Sequence, residues 1–108
     1  MIAYKLVRLM NDGSLASLFI NPKARLSIGE WLTAELHPKK GFAIRQGWHC
    51  CLEPEAPHLS NKGRVWVEVK IEDYTFFDRP MCQGGTWILA QRMKILRMTH
   101  ESLQQTLF

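Results

Sequence analysis

The chain has no Cys-x-x-Cys or His-x3-His pair, no glycine-rich phosphate loop and no nucleophile elbow. It therefore carries none of the strong signatures of zinc ribbons, nucleotide hydrolases or serine hydrolases. No apolar run approaches the roughly 18 residues that a membrane span needs, and Met1-Ile2-Ala3-Tyr4-Lys5 does not have the layout of a signal peptide. A cytoplasmic protein without a membrane partner is expected. Cysteine is scarce: the 3 present are an odd number, two of them adjacent, which suits free thiols in a reducing compartment better than a disulfide scaffold.

What is present describes one folded domain. At 108 residues with 46% hydrophobic residues, the chain can bury a single core. Its net charge of +4 and pI near 9.2 permit contact with nucleic acid or anionic ligands without requiring it.

Asn11-Asp12-Gly13 separates two apolar runs, Tyr4 to Met10 and Ser14 to Ile20. This is a hairpin signal, since the turn needs positive φ values that glycine and Asn/Asp accept. Ser27-Ile28-Gly29-Glu30 has capping-box spacing, with Ile28, Trp31, Leu32 and Leu36 on one helical face, so a short helix is expected over 27–36, although Trp31, Thr33 and Glu35 also alternate as a strand would. Phe42 to Cys51 reads as extended, with Gln46-Gly47 as a bend, His49 and Cys51 on one face and Trp48, Cys50 and Leu52 on the other. One of those two faces is expected to be the core.

Arg64 to Glu72 alternates without error, Val65, Val67, Val69 and Ile71 against Arg64, Trp66, Glu68, Lys70 and Glu72. Trp66 thus stands on the polar face, to be covered by a loop, a partner or a second copy. Tyr74 to Phe77 continues this strand after a kink, until Asp78-Arg79-Pro80 ends it. A last strand runs from Thr86 to Met98, its phase slipping at Leu96 as a bulge would make it. Leu103, Leu107 and Phe108 at helical spacing suggest a short C-terminal helix or a tail that docks on the sheet. The expected fold is α+β: an antiparallel sheet of five to six strands with one or two short helices.

Three chemistries can be built from the residues. Metal binding would draw on His49, Cys51, His58 and Cys82, but the spacing is wrong for a structural site and no metal or cofactor is expected. Cysteine catalysis would need an imidazole beside a thiol; His49 and Cys50, being adjacent in a strand, point apart, which leaves His49 with Cys51, or His58 with either thiol. Nucleic-acid binding would use Arg92, Lys94 and Arg97 on the last strand with Trp66 and Trp87 nearby.

The strings Gly47-Trp48-His49-Cys50, Ala56-Pro57-His58-Leu59-Ser60, Gly63-Arg64-Val65-Trp66 and Gln83-Gly84-Gly85-Thr86-Trp87-Ile88-Leu89-Ala90-Gln91 resemble small uncharacterised proteins of bacteriophages and integron-type mobile gene cassettes. A more distant likeness is to the ADP-ribosyltransferase fold, in which Arg8 would match the first-strand arginine and His49 the polar motif after a glycine. The glutamate that the same likeness implies after Gly84-Gly85 is missing; Gln83, Thr86 and Gln91 stand there. The expected function is a non-enzymatic binding or accessory protein, holding a protein or small ligand near the Gly47–Cys51 segment through Arg8, Trp48, His49, His58 and Trp66. The alternatives are an ADP-ribosyltransferase-like protein binding a nicotinamide dinucleotide, and sheet-mediated nucleic-acid binding.

Overall fold

The computed structural model describes residues 1–17, 25–34, 47–56, 59–60 and 62–99. These form seven strands: β1 (Ile2–Leu9), β2 (Leu15–Ala16), β3 (Arg25–Leu26), β4 (Trp31–Thr33), β5 (Trp48–Cys51), β6 (Arg64–Asp78) and β7 (Thr86–Met98). Every strand pairing is antiparallel, and the only helical element among the described residues is a 3-10 turn at Met81–Gln83. The expected α+β fold is therefore corrected to an all-β one. No helix among these residues is long and apolar enough to cross a membrane.

The hairpin forms as expected, with Arg8 opposite Ala16 and Leu9 opposite Leu15. Its turn differs in detail. Only Gly13 takes a positive φ (+86°), while Asp12 accepts hydrogen bonds from the Ser14 amide and hydroxyl instead of adopting a left-handed backbone.

The helix expected over 27–36 is absent from its described part. Gly29 has φ +84° and donates its amide to the Ile95 carbonyl at 2.8 Å. A left-handed residue in the first turn is incompatible with a right-handed helix, so the chain turns instead, and Trp31–Thr33 pairs with Arg92–Lys94 of β7. The alternation of Trp31 and Thr33 was the signal that mattered. Residues 35–36, the expected C-terminal helix and the segment 42–46 lie outside the described residues.

β1 pairs with β6, β6 with β7, β7 with β5, and β5 back to β1 through Tyr4 and Cys51. The four strands close a ring. β2 and β3 extend it beside β1, and β4 continues the edge of β7 beyond β5. Two irregularities in the β6–β7 ribbon help to bend the sheet. At the first, between Glu68 and Val69, Leu96 is the extra residue, the bulge expected from the phase slip. At the second, Asp73 takes φ +51°, a conformation that aspartate tolerates better than most residues.

Closure puts the apolar face of all four strands inside. Ala3 and Val7, Cys50, Val65 to Ile71 at alternate positions, and Ile88, Ala90, Met93 and Ile95 form one buried cluster, with Leu15 and Leu26 joining it. Each large side chain fully buried here contributes roughly 1.5–3 kcal/mol. The outer face is also covered in part, by a second cluster of Leu6, Cys51, Trp66 and Trp87 beneath Ala56 and Leu59. The expectation that only one face of β5 could be core is thus corrected: Cys50 packs inside and Cys51 outside. A loop, not a second copy, covers Trp66.

Candidate functional site: a basic outer face

Strand register brings like charges together on the outer face. Arg8 of β1 stands directly opposite Arg64 of β6, and Lys70 of β6 directly opposite Lys94 of β7. Like charges directly opposite one another across a ladder are mutually unfavourable.

The first pair lines an open cleft of about 370 Å³, completed by Lys62, Gly63 and the Leu9–Asn11 turn. Leu9 donates its amide to the Gly63 carbonyl at 3.0 Å, which draws the two ends of this cleft together. Arg64 donates to the Ser60 carbonyl at 3.1 Å and so is held toward the loop. The cleft presents two guanidinium groups and an ammonium, donors suited to phosphate or carboxylate oxygens.

Around the second pair lies an aromatic platform. Trp31 is the β4 neighbour of Lys94. The Arg92 guanidinium carbon is 4.8 Å and the Lys94 ammonium 5.0 Å from its ring centroid, both within cation–π range. Arg92 also pairs with Glu72, and Arg97 with Glu68 at 3.1 Å. The carboxylates therefore divide the positive face into two basic areas.

The expected site residues do not converge. Arg8 lies in the basic cleft, and Arg92 and Lys94 at Trp31. Trp48 packs against the interior cluster and donates its indole N–H to the Leu32 carbonyl at 3.1 Å. His49 meets Phe77 edge to face at 5.9 Å and is not part of the cleft lining. Trp66 is 6% exposed, beneath the loop. His58 lies outside the described residues. Trp31, Lys62, Arg64 and Lys70 were missed as site residues, since cross-strand register cannot be read from local spacing and the helix expectation turned Trp31 inward.

The thiols are poorly placed for nucleophilic chemistry. Burial pushes Cys50 up to about 11 and Cys51 up to about 12, with the charge of Lys5 opposing the rise in both. Both stay protonated at neutral pH. Among the described residues no three His, Cys, Asp or Glu side chains come together as a metal-binding group. No protein-family model, curated protein or solved structure matches the chain.

Proposed function

We propose that this is a non-enzymatic binding protein that holds single-stranded nucleic acid on its outer face. The observation that carries this reading is the pairing of like charges, Arg8 with Arg64 and Lys70 with Lys94, on the face that also presents Trp31. Glu68 and Glu72 neutralise the second pair's surroundings only in part, so the face keeps a net positive charge. A polyanion is complementary to such a face. The cleft takes phosphate groups, and Trp31 with its flanking cations provides a stacking platform for an unpaired base.

Arg64 and Lys70 are six residues apart on one strand, so the two areas are about 20 Å apart along the sheet. An extended strand of several nucleotides can bridge that span, and a mononucleotide cannot. The dinucleotide reading is less well supported, because the cleft that holds Arg8 is lined without His49. Membership among the accessory proteins of mobile elements rests on the sequence resemblance alone.

Fluorescence anisotropy with a labelled 20-nucleotide single-stranded DNA tests the reading, with an RNA of the same sequence and a duplex as comparisons. If four cations neutralise phosphates, affinity for the single strand should fall about 50-fold between 50 and 200 mM salt. Loss of binding in Arg8→Ala/Arg64→Ala and weakening in Trp31→Ala are expected. Absence of binding at 50 mM salt, or binding that neither variant changes, would overturn it.

A further inference from the structure

We infer that two copies of this chain pair edge to edge through the second half of β6, as a symmetric dimer centred on Phe76. The inference is independent of the nucleic-acid reading. β1 covers the outer edge of β6 only as far as Lys70, and the Ile71 amide donates to the Met1 carbonyl at 3.0 Å as the last bond there. From Tyr74 to Asp78 the strand is paired with β7 on one side, and no described strand pairs with the other.

The direction of the main-chain groups follows from one hydrogen bond. Arg79 donates its amide to the Gly85 carbonyl at 2.7 Å, so Arg79, and by alternation Phe77 and Thr75, aim their groups at β7. Tyr74, Phe76 and Asp78 aim theirs outward. The exposed edge therefore has a fixed pattern of donors and acceptors. Between the kink at Asp73 and the Asp78-Arg79-Pro80 end, Tyr74-Thr75-Phe76-Phe77 itself contains no charge or proline, the usual protection of an edge strand. Tyr74 and Phe76 are 39% and 54% exposed, and their rings meet at 5.9 Å.

Asp73 and Arg79 at the two ends of this segment carry opposite charges, so an antiparallel second copy is complementary to it, and the same charges select the register. The outward-facing residues must oppose one another, which allows an axis through Thr75 or through Phe76 near the middle of the edge. With the axis at Thr75, Asp73 would face Phe77 of the second copy, twice, and no carboxylate within the paired segment would meet Arg79. With the axis at Phe76, Asp73 faces Arg79 of the second copy, twice, and Tyr74 faces its Asp78. Complementary charge thus favours the Phe76 axis. The kink at Asp73 and the missing amide donor of Pro80 bound the paired segment at both ends.

Light scattering on a sizing column should give twice the 12.5 kDa chain mass for the wild type and the single-chain mass for Phe76→Lys, which places two ammonium groups on the axis. Register is read by cross-linking in a Cys82→Ser background, which removes the exposed native thiol. Under diamide, Phe76→Cys should link to itself, since paired Cα atoms lie about 5.5 Å apart, within disulfide reach. Tyr74→Cys should not, because its copies are offset by four residues, about 13 Å. A monomeric wild type at its highest soluble concentration would overturn the proposal. So would a dimer that survives Phe76→Lys, or self-linking of Tyr74→Cys in place of Phe76→Cys.

Discussion

Cys50 and Cys51 are neighbours in sequence and point to opposite faces of β5, yet both are buried because the sheet is packed on both sides there. Cys82 is exposed. Ellman's reagent should therefore titrate one thiol per native chain at pH 7.5, and all three in denaturant. The same burial links the thiols to stability. Their folded values are raised above the ordinary 9.0, to about 11 and about 12, so the unfolded chain loses these protons first. Their contribution is intact below pH 9 and is lost as pH rises toward the folded values. Lys5 acts in the opposite sense: burial lowers it from 10.5, so the folded chain sheds this proton first and folding gains as pH rises from the lowered value up to 10.5, where the gain is complete. Comparison of Cys50→Ala with the wild type isolates the thiol: urea midpoints measured from pH 8.5 to 11 should fall less steeply in the variant.

Glycine distinguishes turn from helix at the scale of elements. Gly29 sits at φ +84° with open space where a Cβ would stand, so Gly29→Ala should cost only the left-handed strain, about 1–2 kcal/mol. At Gly47, φ +149°, an added Cβ would fall within 2.8 Å of two Leu89 side-chain carbons, one of them the branch point. Gly47→Ala should be the more damaging of the two, by more than about 1 kcal/mol, as urea denaturation of both variants would show. These residues also explain what could be read in advance. The Asp12-Gly13 hairpin, the alternation of β6 and the Leu96 bulge are local patterns, and period and turn chemistry reveal them. The helix expected around Gly29 fails because capping-box spacing is local too and says nothing about φ. The opposition of Arg8 to Arg64 and of Lys70 to Lys94 depends on register between strands more than twenty residues apart, which no local pattern encodes. For Trp66 the sequence revealed the anomaly, an aromatic on a polar face, but not that Ala56 and Leu59 would cover it.

For the whole molecule, closure of the ring is the least supported step. β6 and β7 pair along most of their lengths, whereas β1 and β5 share only the Tyr4–Cys51 register position. Lys5 reinforces that seam. It lies between Ala3 and Val7 in the inward alternation of β1, and its ammonium donates to the His49 carbonyl of β5 at 2.9 Å while standing 5.9 Å from the Trp48 ring. A desolvated ammonium is an expensive way to fill an interior position, and a methionine would fit without that cost. Its role is therefore local: one charged hydrogen bond, worth roughly 1.5–3 kcal/mol, at a junction that has few others. Lys5→Met should keep the fold and its overall stability near the wild type, but let β5 part from β1 more often. Hydrogen exchange separates the two effects. The β5 amides that aim at β1 should exchange at least about tenfold faster in the variant, while those of β5 bonded to β7 and those at the centre of the β6–β7 ribbon keep the wild-type rate. Equal acceleration in both places would mean that Lys5 supports the whole barrel and that the seam opens only when everything does.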